Sequence, residues 1–318
     1  MLRLLGRRLL HLIPVTIGVS FLTFMLLNLL PGDPALTVLG EGATPEAVEA
    51  ITEQMGLNDP VLLRYWHWFV GALGGDLGTS LNSGESVTTL LLQRVPTSLE
   101  IMLLAQIIAL VVALPVAIVS ARRPGSLFDR FAGLTAFAGV ATPPFLVGML
   151  LVLVVAIPFG LPATGWIPFT ENPVMNLRSA FLPALTLAAA LYAVYMRVLR
   201  ADLVTQLTQE EYVTTARAKG VAQGTIIRRH VLRNSVFPLI TVIGINMGAL
   251  LGGAVIVETL FAVPGLGKLM IDAIYQRDVV VVQGAVVVIA VAFVLINFAV
   301  DLLYAALDPR IRHDRASH

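Results

Sequence analysis

The segment Glu-Tyr-Val-Thr-Thr-Ala-Arg-Ala-Lys-Gly (Glu211–Gly220) is a compact polar stretch in a chain that is otherwise rich in apolar residues. Glu211 stands at its start, and Arg217 and Lys219 stand near its end. This arrangement favours a helix because both placements complement the helix dipole. Gly220 is typical of the left-handed residue that ends a helix. We therefore predict a short, charged helix between two long apolar segments.

The composition of the chain predicts an integral membrane protein. Of its 318 residues, 57% are hydrophobic and only 13% are charged, whereas about one quarter of a soluble domain is charged. The net charge of +1 argues against a nucleic-acid binder that relies on electrostatic attraction. The absence of cysteine excludes disulfides, Cys-ligated zinc, iron–sulfur centres and thiol nucleophiles.

Six windows of the sequence are long and apolar enough to cross a bilayer of roughly 30 Å. They are Leu9–Leu30, Leu99–Ala121, Phe131–Phe159, Phe181–Met196, Val236–Phe261 and Gly284–Ala306. The first window follows several arginines, but its apolar run is too long for the hydrophobic region of a signal peptide. We therefore predict an all-α integral membrane protein with six transmembrane helices.

The distribution of Lys and Arg predicts the orientation of these spans. With the N-terminus inside, all but five of the 21 basic residues fall in inner segments. The five outer ones are Arg64, Arg94, Arg178, Lys268 and Arg277. A bias of this size predicts that both termini are cytoplasmic.

The segment after the first span, residues 31–97, is then external and should contain short helices. Thr44-Pro45 and Asp59-Pro60 each resemble a helix N-cap followed by proline at the first helical position. Four aromatic residues cluster in the second of these helices: Tyr65, Trp66, Trp68 and Phe69. They predict either an interfacial aromatic anchor or a platform that contacts a ligand.

Residues 197–238, here called the polar loop, separate the fourth and fifth spans. Thr208 with Glu211 three residues later fits a capping box for the charged helix. A second short helix is predicted from about Thr225 to Leu232, and Pro238 is predicted to open the next span.

The fifth span carries glycines at intervals of four, at Gly244, Gly248 and Gly252. This spacing places small residues on one helical face, where another backbone can approach closely. The seam could pack inside this chain, or it could meet a partner subunit and line a pathway, with the polar Asn246 beside it. In the third span, Pro143-Pro144 is predicted to kink the helix.

The motifs resemble a known family. Glu211–Gly220, followed by Arg229–Asn234 and Phe237–Pro238, resembles the cytoplasmic loop of binding-protein-dependent ABC permeases, in their dipeptide/oligopeptide/nickel branch. Thr214–Ala216 stands where the family has Glu-Ala-Ala, and Gly220 stands at the family's glycine. Further segments agree in the same order: Leu30–Pro34, Gly75–Ser80, Glu258–Gly267, Arg277–Gly284 and Asn297–Arg312.

The resemblance implies the type I ABC importer permease fold in a bacterial-type inner (cytoplasmic) membrane. The implied parts are an N-terminal transmembrane helix at 1–30, the external segment at 31–97, a five-helix core at 98–306 and a cytoplasmic tail at 307–318. Expected partners are a second homologous permease, two ATPase subunits or domains, an extracytoplasmic substrate-binding protein and membrane lipid, without nucleic acid. The expected cargo is dipeptides or oligopeptides, with nickel chelates or glutathione as alternatives.

The resemblance also implies that the charged helix, about Gln209–Lys219, docks in a groove on the ATPase. The expected coupling residues are Glu211, Thr214, Thr215, Ala216, Arg217, Lys219 and Gly220. The alternative is a solvated charged loop without a partner.

On the outer side, the resemblance implies that the rim around the last two spans faces the binding protein. The candidate docking residues are Glu258, Lys268, Asp272, Arg277 and Asp278. The alternative is that these residues are solvated surface charges.

Other functions fit the sequence less well. A secondary transporter coupled to ions would carry ionisable groups at mid-membrane, whereas Glu100, Glu258 and Asp301 lie near the ends of predicted spans. The motifs of metalloproteases, serine hydrolases and phosphate-binding loops are absent. We therefore predict no catalytic site, metal or cofactor in this chain, and we expect ATP and Mg²⁺ on the partner ATPases.

Overall fold

The computed structural model describes residues 2–29, 34–40, 42–54 and 56–307, and every regular element in those ranges is helical. The longer helices are α1 (Leu2–Leu29), α5 (Val87–Arg122), α6 (Leu127–Ala141), α9 (Pro173–Gln209), α12 (Leu232–Leu260) and α14 (Val279–Leu307). The shorter ones are α2 (Pro34–Leu39), α3 (Pro45–Gln54), α4 (Val61–Leu73), α7 (Pro144–Leu151), α8 (Ile157–Phe159), α10 (Glu211–Ala218), α11 (Gln223–Ile226) and α13 (Leu266–Tyr275). Most of the predicted Leu30–Pro34 motif and the tail after Leu307 lie outside the described residues.

The prediction of an all-α membrane protein is confirmed, while the count of six spans is matched only in part. Four described helices are long and apolar enough to cross a membrane: Val87–Arg122, Pro173–Gln209, Gln223–Leu260 and Val279–Val300. A fifth span exists if α6 and the helix that follows it are counted together. For the first predicted span, the apolar stretch with described side chains is the shorter Ile13–Leu29.

The third predicted span is two helices, as the proline pair indicated. The chain bends by 113° between α6 and the helical segment Pro144–Phe159. Pro143 lies just before α7 in an extended conformation with ψ of 142°, and Pro144 is its first residue. Proline lacks the N–H that would continue the α6 ladder, and it favours an extended residue before it. The predicted kink at Pro143-Pro144 is therefore confirmed, and it divides the window Phe131–Phe159 into two helices.

One of two compact units comprises the described residues up to Ser98 together with Pro264–Leu295. Its core packs Val87 and Leu91 of α5 against Leu266 of α13 and Val281 of α14. Ala273 of α13 is buried in the same core.

In the same unit, the predicted aromatic cluster holds α4 against α1. The ring of Tyr65 lies edge-on to Phe21 and Phe24 at 5.2 and 5.5 Å between centroids. Its hydroxyl lies 3.0 Å from Ser20 Oγ, which is buried. The main role of the cluster is therefore to pack α4 against α1, although the side chain of Trp66 remains 58% exposed.

The second unit, Leu99–Val263 with the chain from Ile296 onward, is organised around α9. This helix packs against α6, α7 and α12, and Tyr195 at its centre is fully buried. The hydroxyl of Tyr195 and the amide of Gln106 exchange hydrogen bonds of 2.7 and 3.1 Å. These bonds satisfy two polar side chains, which would otherwise be buried without hydrogen-bond partners and would destabilise the fold.

Gly139 permits the close approach of α6 and α9. A Cβ added at Gly139 would lie 2.9 Å from the backbone oxygen of Ala189 and 3.1 Å from Ala193 Cβ. We expect Gly139→Ala to destabilise the protein by about 1–3 kcal/mol because the two helices must separate. The free energy of unfolding in detergent micelles measures this effect.

The matched control is Gly133→Ala in the same helix, where an added Cβ meets no atom within 4 Å. This change should stabilise by roughly 0.5–1 kcal/mol because alanine loses less conformational freedom than glycine in a helix. Equal effects of the two substitutions would show that Gly139 does not set the spacing of the helices.

Candidate functional site

The charged helix predicted from Glu211 is present as α10, but it starts without the predicted capping box. Thr208 is still part of α9, and its hydroxyl donates to the Val204 carbonyl at 2.8 Å. Glu210 is the N-cap of α10, and its side chain makes no capping hydrogen bond. Threonine inside a helix commonly bonds back to the preceding turn in this way. The predicted pairing of Thr208 with Glu211 is therefore wrong.

The C-terminal end of α10 matches the prediction. Gly220 adopts a left-handed φ of +75°. Its N–H donates to the Arg217 carbonyl at 2.9 Å, and the N–H of Val221 donates to the Ala216 carbonyl at 3.1 Å. These two bonds form a Schellman motif, which satisfies carbonyls at the helix end and reverses the chain sharply.

The predicted coupling residues lie on one short element, and most of their surface is accessible. Val213 is fully buried and anchors α10 to the rest of the unit. The predicted residues Glu211, Thr214, Thr215, Arg217, Lys219 and Gly220 are exposed, and Ala216 is half-buried. The helix therefore presents a polar surface of two turns and buries a single apolar side chain.

Two side chains tie α10 to the long helices on either side of it. Arg217 donates from Nη2 to the carbonyl of Leu207, in the last turn of α9, at 3.1 Å. The hydroxyl of Tyr212 donates to Gln206 Oε1 of α9 at 2.5 Å and accepts a long bond of 3.4 Å from Asn234 Nδ2 of α12. Tyr212 thus links α10 to both neighbouring helices.

The phenol of Tyr212 stays protonated at neutral pH. Burial raises its pKa above the ordinary value; the bond from Asn234 lowers it, and the nearby carboxylates of Glu210 and Asp202 raise it further. Sequence reasoning missed this residue. The available signal was a large amphipathic side chain next to the buried Val213 in an otherwise small and polar helix.

The second predicted helix of the polar loop is not a separate helix. It begins at α11, passes through a π-helical turn at Ile227–Val231 and continues into α12 without a break. Pro238 lies inside α12, so it does not open the span. The π-turn keeps the backbone hydrogen bonded across the junction, and no helix end is formed. The apolar side chains of this junction, Ile226, Ile227 and Val231, are buried.

The glycines of the fifth span do not form one continuous seam. A Cβ added at Gly244 would collide with Val300 of α14, and Gly248 is also buried. Gly252 is exposed, with no atom within 4 Å of an added Cβ. Asn246 is half-buried and donates to the Val242 carbonyl of its own helix at 2.8 Å. Packing inside the chain therefore accounts for Gly244, whereas Gly252 faces open space.

The five residues of the predicted outer rim have different environments. Glu258 is fully buried, so its carboxylate is not presented at the surface. Asp278 is also buried; it accepts from the Ser80 hydroxyl at 2.6 Å and caps the start of α14 through the N–H of Val281 at 3.2 Å. Lys268 and Asp272 form an ion pair of 2.6 Å one turn apart.

Arg277 is exposed and has a left-handed φ of 56°, which is unusual for a residue with a side chain. It lies between α13 and the buried Asp278, so its backbone position is held by packed elements on both sides. In the part of the chain that the structure describes, no three acidic or histidine side chains form a group that could hold a metal ion.

Two sequence families match this chain. Residues 113–313 match the family described as the inner membrane component of binding-protein-dependent transport systems. Residues 1–102 match the N-terminal family of the same membrane components.

The chain is also similar to named proteins over nearly its whole length. It is 36% identical to the dipeptide transport system permease protein DppB of Escherichia coli K12, with 99% of this chain and 100% of the relative covered. It is 37% identical to the glutathione transport system permease protein GsiC of Escherichia coli O6:H1, with 98% and 100% covered.

Solved structures show the same fold at lower sequence identity. Two chains of the MetNI methionine ABC transporter in inward-facing conformations align with a TM-score of 0.54. They are 16% and 20% identical to this chain, and the alignments cover 69% of it and 96% of each of those chains.

Proposed function

This chain belongs to the family of binding-protein-dependent transport system inner membrane components, and from that premise we propose that it carries dipeptides or oligopeptides into the cytoplasm. At family level it is an ABC importer permease of the peptide-type branch. We propose alternating access driven by ATP hydrolysis on partner chains. The observation that carries the proposal is the match to DppB, which covers 99% of this chain and 100% of DppB.

The geometry of α10 supports a role in coupling. ATP binding closes paired ATPase domains, and a short stiff helix held in each domain must move with it. Here Arg217 connects α10 to the end of α9, and Tyr212 connects it to both α9 and α12. Motion of α10 would therefore reach two long helices at once. The exposed residues Glu211, Thr214, Thr215, Lys219 and Gly220 are the proposed contacts with the ATPase.

The remaining partners are proposed from the family and from exposure. A second homologous permease would pack along the open part of the α12 face, near Gly252. The extracytoplasmic binding protein would contact Lys268, Asp272 and Arg277. The buried Asp278 would support the backbone of that surface at Arg277. ATP and Mg²⁺ would bind to the ATPase subunits, and both termini of this chain would lie on the cytoplasmic side of the inner membrane.

The purified chain alone is expected to hydrolyse no ATP. The same chain reconstituted with its ATPases, partner permease and loaded binding protein is expected to hydrolyse ATP and to accumulate a labelled dipeptide in vesicles. Phosphate release and vesicle-associated label are the two measurements. Hydrolysis by the isolated chain, or a complete assembly that moves no di- or oligopeptide, would contradict the proposal.

Glutathione is the second candidate cargo, because the chain is as similar to GsiC as it is to DppB. The small molecule that co-purifies with the cognate binding protein distinguishes the two, since that protein selects the cargo before transport. Mass spectrometry of the released ligand should show a family of short peptides for the first candidate and glutathione for the second. A nickel chelate would exclude both.

A further inference from the structure

A shallow groove runs along one side of the packed pair α6 and α9, and no residue of α10 lines it. It encloses about 710 Å³. Arg130, Gly133 and Val140 line it from α6, and Val194, Arg197 and Val198 line it from α9.

One end of the groove is positively charged. Three arginines and one aspartate line it. Asp129 is buried, and its carboxylate is bound in bidentate fashion by the guanidinium of Arg200, with 2.6 Å from Nη2 to Oδ2. The N–H of Gly125 donates to the same carboxylate oxygen at 2.8 Å. This carboxylate therefore serves Arg200 and leaves the two other arginines to act on a ligand.

Those two arginines are Arg130 and Arg197. Both are exposed, and no described residue forms an ion pair with either of them. They face the groove from opposite helices, so a single anionic group placed between them could contact both. Guanidinium groups bind phosphate oxygens through paired N–H donors, which gives this ligand class both charge and geometric complementarity.

The rest of the groove is apolar. Val140 lies ten residues beyond Arg130 in the same helix, which is about 15 Å along the axis. Exposed apolar side chains flank this stretch of α6, with Phe131, Leu134 and Phe137 each about two-thirds exposed. A surface of this kind belongs in the hydrocarbon region of a membrane. The groove therefore offers charge at one end and a lipid-like environment along the rest.

We propose that this groove binds one anionic phospholipid. Its phosphate contacts Arg130 and Arg197, and one acyl chain lies along Gly133, Val140 and Val194. Basic clusters beside membrane helices attract anionic headgroups at the membrane surface. The inference depends on membrane insertion and not on the cargo, so it stands or fails independently of the proposed transport.

Native mass spectrometry of the full chain tests the site. The delipidated protein is offered equal amounts of phosphatidylglycerol and phosphatidylcholine with the same acyl chains. We expect the protein to retain one phosphatidylglycerol about 30-fold more strongly than phosphatidylcholine. The preference arises because each of the two arginines near the headgroup contributes about 1 kcal/mol of attraction. In Arg130→Gln/Arg197→Gln this preference should fall to nearly none.

Two further variants give the test its controls. Arg122→Gln/Arg123→Gln removes two exposed arginines that do not line the groove, and it should keep the preference. Gly133→Leu keeps every charge but fills the groove at a position where an added Cβ meets no atom within 4 Å, and it should reduce retention about 10-fold or more. It tests the site even where the arginine variant fails to fold.

Equal retention of the two lipids by the unmodified chain would overturn the proposal, as would a preference that survives the loss of Arg130 and Arg197. Retention unchanged in Gly133→Leu would show that lipid does not occupy this groove. A partner protein seated on the two arginines in the assembled complex would overturn it as well.

Discussion

Gly220→Pro is expected to lower coupled peptide uptake on the order of 100-fold while the protein remains in the membrane. Gly220 has φ of +75°, and proline is restricted to about −65°. The change also removes the N–H that donates to the Arg217 carbonyl at 2.9 Å. A backbone cost of about 3 kcal/mol reduces the population of the native loop roughly 100-fold. Uptake by vesicles containing the full assembly measures the effect.

Two control variants test whether the loss of uptake comes from the left-handed conformation at Gly220 or from any substitution in the loop. Gly220→Asn should keep most of the uptake, because asparagine tolerates the left-handed region better than other residues with a side chain. Gly224→Ala changes a nearby glycine where an added Cβ meets no atom within 4 Å, and it should be close to neutral. Normal uptake by Gly220→Pro would remove the main support for α10 as the element that couples to the ATPase.

Asp129→Ala is expected to destabilise the protein by about 3 kcal/mol. Asp129 is 5% exposed, and removing its carboxylate leaves the Arg200 guanidinium and the Gly125 N–H without their acceptor. Removing one partner of a buried ion pair lowers the free energy of unfolding by about 3–5 kcal/mol. The lower end applies because Arg200 is 32% exposed and regains part of its hydration. Unfolding of the purified chain in detergent micelles, followed by circular dichroism, gives the value.

The matched comparison is Asp272→Ala, which removes the acid of the other described ion pair. Lys268 and Asp272 are 30% and 44% exposed, and such a pair contributes only about 0.3–0.5 kcal/mol. The double change Asp129→Leu/Arg200→Met should recover most of the loss, because no charge is then left unpaired. A loss of similar size in Asp272→Ala, or no recovery in the double variant, would show that burial of the Asp129 pair is not the cause.

Gly220→Pro and Asp129→Ala are expected to affect different properties of the protein, transport and stability respectively. The first acts on the conformation of the polar loop, which can rearrange while the long helices stay packed, so it should affect transport first. The second acts on packing between α6 and α9 and should affect stability first. Measuring both properties on both variants therefore separates coupling from folding.

Local chemistry explains why some features were predictable. The left-handed residue at Gly220 and the break at Pro143-Pro144 follow from backbone preferences that act within a few residues. The pairing of Thr208 with Glu211 failed because α9 continues to Gln209, held by packing along its whole length. Likewise, Pro238 was expected to start a helix, whereas the helix already begins at α11 and runs through the π-turn into α12, so Pro238 lies inside it.

The sequence by itself determined that this is a helical membrane protein of the ABC importer permease family. Apolar length, charge distribution and ordered motifs are properties of the chain that survive in any packing arrangement. Only the tertiary structure decided which polar residues face outward: it buries Glu258 and Asp278, leaves Arg277 exposed and joins Tyr212 to two helices. Burial and long-range hydrogen bonds depend on which segments pack together in the folded chain. The local sequence of a segment does not show which distant segment it will contact.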